Sequence, residues 1–432
     1  MDFSESYRFS GPQPAYSPDG RFVANCVEYR LVIREVETLQ VVQLYSCIDK
    51  IQQLEWCPNS RYVLCALWQR ATVQVWSVSD PDWTCKISEG DAGVAHARWS
   101  PDGLHVLVVA DFQIRVTVWS LVHRTAIYVK GPKWPQAGLA FSPDGALMAL
   151  AERHDCKDYV SLFRCHDWQP AAHFQVATAD LADLAFSPDG ACLAVWDSPL
   201  TYRLLVFSAQ GEPLAEYSAY SDALGIKSVA WSPSGQVLAL GSFDQEARLL
   251  NHVDWQPLAA LGHMPSITGP AGVVVYREVE DHSTDSAGSR SRYVVCELPA
   301  RVQSQKVPVD KPNPRVGVGH MAFSTDCQYV TTRNDNMPNA LWVWDVARME
   351  LASVLLQVGA VRDVQWDPHH PRCVVATGSS RIYIWSPDGA SCVHIPLQSF
   401  QAHSVSWNTD GAALILADKD AFCCAYLGSS IS

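Results

Sequence analysis

The chain has 432 residues, of which 48% are hydrophobic and 18% are charged. This composition supplies apolar surface for a large core and excludes a disordered chain. Lys and Arg number 32 against 45 Asp and Glu, which gives a formal net charge of -13 at pH 7. Because an acidic protein repels phosphate on average, we expect no direct binding of nucleic acid or of anionic membranes.

The fourteen cysteines are scattered, and several lie inside apolar runs, such as Cys26, Cys65, Cys192 and Cys373. The first twenty residues are polar and lack the apolar segment of a signal peptide. No apolar run approaches the ~18 residues that span a bilayer. These features predict reduced, mostly buried thiols in a cytoplasmic protein.

A short turn signal recurs from one end of the chain to the other. Its strict form is Ser17-Pro18-Asp19-Gly20, in which Pro presets φ, Asp bonds to the local backbone and Gly accepts a positive φ. The nine copies begin at Ser17, Cys57, Ser100, Ser142, Ser187, Ser232, Ser324, Asp367 and Asn408. An aromatic residue precedes each copy, and the copies lie 40 to 45 residues apart except for one gap of 92. This period is typical of propeller blades.

A second anchor follows each turn and ends a β-rich stretch. Examples are Val73 to Trp76, Val116 to Trp119 and Ile382 to Trp385. Alternation and β-branching indicate short strands, about four in each repeat. One small sheet cannot bury both faces, so blades stack and the recurring aromatic residues fill the layer between them. The sequence therefore predicts an all-β protein: one closed β-propeller over residues 1–432, with about nine four-stranded blades.

The 92-residue gap leaves the number of blades open between eight, nine and ten. It contains two extended stretches, Val273–Tyr276 and Tyr293–Cys296, separated by a polar segment. We favour a long hairpin inserted between two blades over residues 264–316, with a flexible tip near 281–290. An eroded tenth blade is the alternative.

The last repeat ends near Leu427, after its third strand. Residues Phe3 to Phe9 have no blade of their own. We predict that this N-terminal segment supplies the missing outer strand, because pairing the two ends closes the ring and removes exposed strand edges.

Catalytic signals are absent from the sequence. It has no Gly-rich phosphate loop, no Gly-x-Ser-x-Gly elbow and no His-Glu-x-x-His. His154, Asp155, Cys156 and Asp158 lie close together, but their spacing matches no structural zinc pattern and favours a polar loop between two strands. We therefore expect no enzyme activity, no metal and no cofactor.

Several motifs resemble the WD-repeat family. Trp344-Asp345 is the signature dipeptide, relaxed elsewhere to Trp-Ser, and Gly262-His263 is the accompanying Gly-His pair. Longer stretches, at 151–161, 224–233, 250–255 and 333–339, resemble the centrosomal and spindle-pole WD-repeat proteins encoded antisense to a tumour-suppressor gene of the p53 family. That resemblance implies a non-catalytic scaffold at the centrosome and spindle pole, within the cytoplasm and cytoskeleton.

The same resemblance implies partners and a role. The expected partner is a coiled-coil anchoring protein, with a minus-end-directed kinesin as a further partner. The expected roles are tethering of microtubule minus ends, spindle organisation and, in ciliated cells, cilium assembly. The alternatives are a ribosome-binding propeller that resembles translation initiation factors, and a substrate receptor for a ubiquitin ligase.

In WD-repeat proteins, partners often bind the face built by the loops between second and third strands. Trp and Arg dominate binding hot spots, and these loops contain both. The candidate protein-binding residues are Trp68, Arg70, Arg153, His154, Lys157, Trp196, Arg333, Asn334 and Asn336.

Overall fold

The computed structural model describes residues 1–268, 272–281, 290–307 and 314–428. Nine sheets of four or more strands follow one another around a propeller. The prediction of one closed propeller with about nine blades is therefore confirmed. No helix in these residues is long and apolar enough to cross a membrane. The three short 3-10 helices are Trp68–Arg70, Gly90–Ala92 and Asp111–Gln113.

The strands are numbered in chain order, starting with the N-terminal β1 (Asp2–Phe3) and β2 (Tyr7–Arg8). Blades 1 to 3 contain β3 (Ala15–Tyr16), β4 (Phe22–Val27), β5 (Arg30–Glu35), β6 (Val41–Ser46); β7 (Gln53–Trp56), β8 (Tyr62–Leu67), β9 (Thr72–Ser77), β10 (Thr84–Ser88); β11 (His96–Trp99), β12 (His105–Val109), β13 (Arg115–Ser120) and β14 (Ala126–Lys130). Blades 4 to 6 contain β15 (Leu139–Phe141), β16 (Leu147–His154), β17 (Lys157–Arg164), β18 (Pro170–Val176); β19 (Leu181–Phe186), β20 (Cys192–Asp197), β21 (Leu204–Ser208), β22 (Pro213–Tyr217); β23 (Ile226–Trp231), β24 (Val237–Ser242), β25 (Glu246–Asn251) and β26 (Pro257–Gly262). Three short or added elements follow as β27 (Ser266–Ile267), the hairpin strands β28 (Val274–Asp281) and β29 (Arg290–Val295), and β30 (Ala300–Arg301). Blades 7 to 9 contain β31 (Val318–Phe323), β32 (Tyr329–Asn334), β33 (Ala340–Asp345), β34 (Glu350–Leu356); β35 (Asp363–Trp366), β36 (Cys373–Ala376), β37 (Arg381–Ser386), β38 (Gly389–His394); β39 (Ser404–Trp407), β40 (Ala413–Ala417) and β41 (Ala421–Tyr426).

Each recurring turn joins the first and second strands of its blade. In the first copy, Ser17 Oγ donates to Asp19 Oδ1 at 2.6 Å and accepts the Phe22 N–H at 2.9 Å. Gly20 takes a φ of +74° and donates its N–H to the Ser17 carbonyl oxygen at 2.8 Å. Local turn chemistry therefore sets where the first strand of a blade ends and the second begins.

The aromatic residue before each turn ends the first strand and faces the preceding blade. Four of these residues are tryptophans whose indole N–H donates to a carbonyl oxygen in the first strand of that blade. The four bonds run from Trp56 to Ala15 (2.9 Å), Trp99 to Glu55 (3.3 Å), Trp366 to Ala322 (3.0 Å) and Trp407 to Gln365 (3.1 Å). The repeating aromatic residues thus bond neighbouring blades as well as packing between them.

The core is divided among the layers between blades. Between blades 1 and 2, Cys26 and Leu31 pack with Val63 and Cys65, and all four side chains are fully buried. Similar clusters lie between the other blades. All fourteen cysteines are free thiols, several of them packed as small apolar side chains in these layers.

The Gly-His and Trp-Asp motifs meet between blades 6 and 7. The Trp344 indole donates to Thr332 Oγ1 at 2.8 Å, and the Thr332 hydroxyl lies 2.7 Å from His263 Nε2. His263 Nδ1 lies 2.8 Å from the Gln245 carbonyl oxygen, so a neutral imidazole protonated on Nδ1 completes the chain of bonds. Burial lowers the pKa of His263 to about 4.

The N-terminal segment closes the ring as predicted. Strands β1 and β2 both pair antiparallel with β41, with Phe3 opposite Ala425 and Tyr7 opposite Phe422. Cys424 accepts the Ser4 N–H through its carbonyl oxygen at 2.9 Å. Blade 9 therefore takes its outer strand from the opposite end of the chain.

Blade 7 contains the inserted hairpin and is the widest sheet. Strand β28 pairs with β29 and lies parallel to β34, which extends the four-stranded blade to six strands. The prediction of an inserted hairpin is confirmed, and the alternative of a tenth blade is wrong, because these strands join an existing sheet. The predicted flexible tip falls mainly on residues 282–289, which lie outside the described residues.

Candidate interaction face

Strand direction sorts every loop onto one of two faces. Successive strands of a blade are antiparallel, so the loops between second and third strands lie at the same end as the links between blades. We call this end the loop face. The loops between first and second strands, and between third and fourth strands, form the opposite face.

Two of the predicted arginines connect the two kinds of segment on the loop face. Arg70 follows β8, and its Nε lies 2.9 Å from the Asp49 carboxylate in the link between blades 1 and 2. Arg153 lies near the end of β16, and its Nη1 lies 2.8 Å from the Asp180 carboxylate in the link between blades 4 and 5. The loop face is therefore cross-braced by ion pairs.

Arg153 belongs to a buried charge network. Asp158 has no exposed side-chain surface, and its carboxylate accepts bonds from Lys133 Nζ at 2.9 Å, Arg153 Nη1 at 3.2 Å and the Leu181 N–H at 2.7 Å. Burial raises the pKa of Asp158, but the Leu181 and Lys133 hydrogen bonds outweigh it and hold the pKa below its usual value. Arg153 therefore neutralises buried charge as well as facing solvent.

His154 and Lys157 flank a tight hairpin turn between β16 and β17. The two turn residues, Asp155 and Cys156, both have positive φ, at 49° and 60°. This is the conformation of a type I′ turn, which suits the twist of paired strands. His154 Nε2 lies 3.2 Å from Glu152, and the Lys157 side chain is exposed. The cluster read from the sequence as a polar loop is this turn.

The two predicted tryptophans differ in exposure. Trp68 begins a 3-10 turn on blade 2 and is 41% exposed. Trp196, in β20, is partly buried against a cluster of buried residues that includes Tyr202 and Leu204. Of the two, only Trp68 is therefore exposed enough to offer a partner an aromatic surface.

Three predicted residues cluster on blade 7. Arg333 Nη1 donates to the Val361 carbonyl oxygen at 2.9 Å. Asn334 and Asn336 each donate through Nδ2 to Gln245 Oε1, at 3.1 and 2.9 Å. Asn334 is fully buried. A side chain without exposed surface cannot contact a partner, so Asn334 is removed from the candidates and instead braces blade 6 against blade 7.

Exposed apolar side chains concentrate on the loop face, which sequence reasoning missed. Nine large apolar residues are exposed in its loops and links, against three on the opposite face, and Leu298, which follows the inserted hairpin, is counted with neither face. The nine are Tyr29, Ile48, Trp68, Phe112, Ile114, Trp134, Leu200, Met264 and Val358. The three on the opposite face are Leu104, Val122 and Val253. Exposed apolar clusters mark interaction sites more often than scattered single residues do.

Phe112 is the most exposed of them, at 90%. It and Gln113 both have positive φ, 56° and 53°, which is unfavourable for residues with a side chain. A shallow cleft of about 570 Å³ lies beside it, lined in part by Trp134, Lys133 and Arg153. The loop thus holds an aromatic side chain in solvent at the edge of a cleft.

Within the described residues, no group of three or more His, Cys, Asp and Glu side chains is placed to hold a metal ion. The loop face presents exposed aromatic and aliphatic side chains beside the ion-paired Arg70 and Arg153.

Comparison with known proteins gives the family. A family model described as WD domain, G-beta repeat matches residues 211–251. The chain is 46% identical to the WD repeat-containing protein WRAP73 of Mus musculus, over 99% of this chain and 96% of that protein. This chain belongs to the WD-repeat family. It is also 23% identical to an uncharacterized WD repeat-containing protein of Schizosaccharomyces pombe, over 99% and 93% of the two chains.

A solved WD-repeat structure supports the fold. The crystal structure of the C-terminal WD40 domain of Sif2 matches with a TM-score of 0.54 over 99% of both chains, at 11% identity. WD-repeat propellers are typically non-catalytic interaction scaffolds, and the names of the matched relatives state no enzyme activity.

Proposed function

We propose that this protein is a non-catalytic scaffold at the centrosome and spindle pole, where its loop face binds a coiled-coil anchoring protein. In this role it helps to tether microtubule minus ends and to organise the spindle and, in ciliated cells, the cilium. A minus-end-directed kinesin is the expected further partner. The subcellular place and the partners come from the resemblance of residues 151–161 and 333–339 to the centrosomal branch of the family.

The observation that carries the binding role is the unequal distribution of exposed apolar side chains. A helical segment of the anchoring protein outside its coiled-coil seam would offer an apolar face, as amphipathic helices do in grooves. Phe112 and Trp134 line one cleft, and Ile114 lies in the same loop as Phe112. These three exposed side chains supply a matching apolar contact. Aromatic anchors of this kind dominate the binding energy of interfaces.

The test is affinity purification of the tagged chain from its own cells, followed by mass spectrometry. The test variant is Phe112→Asp, and the matched control is Val253→Asp, which places the same charge at a 75% exposed position on the opposite face. We expect the wild type and the control to recover a coiled-coil pole protein and Phe112→Asp to lose it.

Recovery of the pole protein with both variants contradicts the choice of face. Recovery of ribosomal proteins or of ubiquitin-ligase subunits, without a pole protein, contradicts the proposed role and favours the corresponding alternative.

A further inference from the structure

The inserted hairpin presents a basic surface on an acidic protein. Among the described side chains of residues 272–317, five exposed ones are basic, against one exposed acidic side chain, Glu297. The five are Arg277, Arg292, Arg301, Lys306 and Arg315. None of them forms an ion pair with a described residue, whereas Arg70, Arg153 and Arg333 of the loop face do.

The hairpin is firmly held, so this surface has a fixed shape. Glu278 is buried, and its carboxylate accepts the Tyr383 hydroxyl at 2.7 Å and the Val358 N–H at 2.8 Å. Tyr293 accepts a short hydrogen bond from Gln357 Nε2. The inward row of the hairpin is thus bonded to blades 7 and 8.

The outward row alternates basic and aliphatic side chains. Arg277 lies opposite Val294, and Val279 lies opposite Arg292 in the register of β28 and β29. All four side chains are exposed. Beside them, Arg277 and Arg301 line a cleft of about 460 Å³ that Val358 of the loop face also lines.

Strand β29 ends the six-stranded sheet, and no described strand pairs with its second edge. The Cys296 N–H donates to the Val275 carbonyl oxygen of β28 at 2.8 Å. Because bonding direction alternates along an antiparallel strand, the N–H groups of Ser291, Tyr293 and Val295 point away from β28. A free edge of this kind is a template for another strand.

We propose that the β29 edge binds an extended acidic peptide segment of a partner protein, which adds a seventh strand to blade 7. The peptide backbone pairs with the free N–H and carbonyl groups of β29. Its acidic side chains lie next to Arg292, and its aliphatic side chains lie next to Val294, because rows continue across a sheet. The recognised segment therefore carries an acidic and an aliphatic side chain two residues apart, on the face that continues the outward row. The β29 edge is separate from the cleft beside Phe112 and does not depend on the proposed cellular role.

The test uses fluorescence anisotropy with the purified full-length chain. The probe is a labelled peptide of about ten residues, a typical upper strand length, with the repeat Glu-Thr-Val-Thr, so that Glu and Val alternate along one face of the strand. We call it the Glu-Val peptide. The comparison probes are a peptide with the repeat Lys-Thr-Val-Thr and a uridine oligonucleotide. We expect the Glu-Val peptide to bind and the other two not to bind.

Two variants separate charge from backbone pairing. Arg292→Glu reverses the charge of a side chain in the outward row and is expected to weaken binding by about tenfold or more. Val295→Pro removes an outward N–H without removing a β28 bond, and is expected to weaken binding similarly. Arg61→Glu, an exposed arginine on the opposite face, is the matched control and should bind as the wild type does.

Each remaining outcome overturns the proposal. Failure of the Glu-Val peptide to bind the wild type removes the site. Equal binding of the oligonucleotide indicates a general polyanion surface. Binding that Val295→Pro leaves unchanged, in a variant with wild-type melting temperature, excludes strand addition.

Discussion

Buried polar side chains connect neighbouring blades through hydrogen bonds. The clearest case is the hydrogen-bond series of His263, Thr332 and Trp344. The Thr332 hydroxyl accepts from the indole and donates to the imidazole, so it satisfies two buried groups at once. We expect Thr332→Val to lower the free energy of unfolding by roughly 2–4 kcal/mol, because it leaves both groups unpaired. Denaturant unfolding measures this loss. Thr332→Ser keeps the hydroxyl and should lose much less, and equal losses would contradict the hydrogen-bond explanation.

The same hydrogen-bond series makes the stability of the protein depend on pH, because it contains His263. The pKa of His263 is about 4 in the folded protein against 6.5 in the unfolded chain, and its side chain is almost fully buried. Between these values the unfolded chain binds the proton and the folded protein does not. The contribution of neutral His263 to the free energy of unfolding is therefore complete above pH 6.5 and is lost as the pH falls toward 4.

We expect the wild type to lose about 2 kcal/mol from this group by a pH of about 5. Unfolding of the wild type and of His263→Gln at both ends of this range isolates the group. The difference between the two proteins should shrink as the pH falls, and a constant difference would show that His263 does not titrate as described.

At the residue scale, sequence and structure agree on the repeating positions and disagree on the surface. The turn and aromatic positions could be predicted because their chemistry is local and recurs nine times. Phe112 and Leu200 resemble core residues by type, yet they lie in loops and are 90% and 78% exposed. Asn334 resembles a loop residue, yet it is fully buried. Exposure depends on packing between blades, which no single repeat encodes.

At the scale of elements, the N-terminal strands stabilise the ring more than their short length suggests. They contribute two residues each to pairing with β41, and Phe9 beyond them is buried against blade 9. Removing them exposes β41 as a free edge and uncovers part of an apolar cluster that includes Phe422.

We therefore expect deletion of residues 1–10 to lower the melting temperature sharply and to increase aggregation. Thermal unfolding followed by circular dichroism and light scattering gives both quantities. The control is Glu5→Ala, an exposed residue between β1 and β2 that should leave both unchanged. A deletion variant that melts like the wild type would show that the ring does not need this closure.

The hairpin is the other element whose place the sequence only partly indicated. The sequence shows its two strands as β-rich stretches, but it does not show the parallel pairing of β28 with β34. That register depends on contacts such as Ser353 Oγ donating to the Val274 carbonyl oxygen at 3.0 Å. Such long-range pairings leave no periodic signal. The basic outward row follows from that register and could not be predicted before it was known.

At the scale of the whole molecule, the ring is closed by strands from both chain ends that share one sheet, and any blade could in principle hold that sheet. Its ends meet inside blade 9, where Asp2 lies opposite Tyr426. Every other blade takes four strands from one continuous stretch of the chain, and blade 7 adds the hairpin strands β28 and β29 to its four. Moving the chain ends into a different blade should therefore preserve the fold, provided that the new ends again share one sheet.

Two circular permutants test this argument, each with the original ends joined by a short Gly-Ser linker. The first opens the chain between Gln210 and Gly211, in the loop between β21 and β22, so that blade 5 is closed by strands from both ends. The second opens it between Ser221 and Asp222, in the link between blades 5 and 6, so that no strand crosses the new boundary. We expect the first to melt close to the wild type and the second to melt lower, because only side-chain packing then holds blade 5 against blade 6. Equal melting temperatures would mean that the packing between blades closes the ring without a shared sheet, and that the N-terminal strands matter only for blade 9.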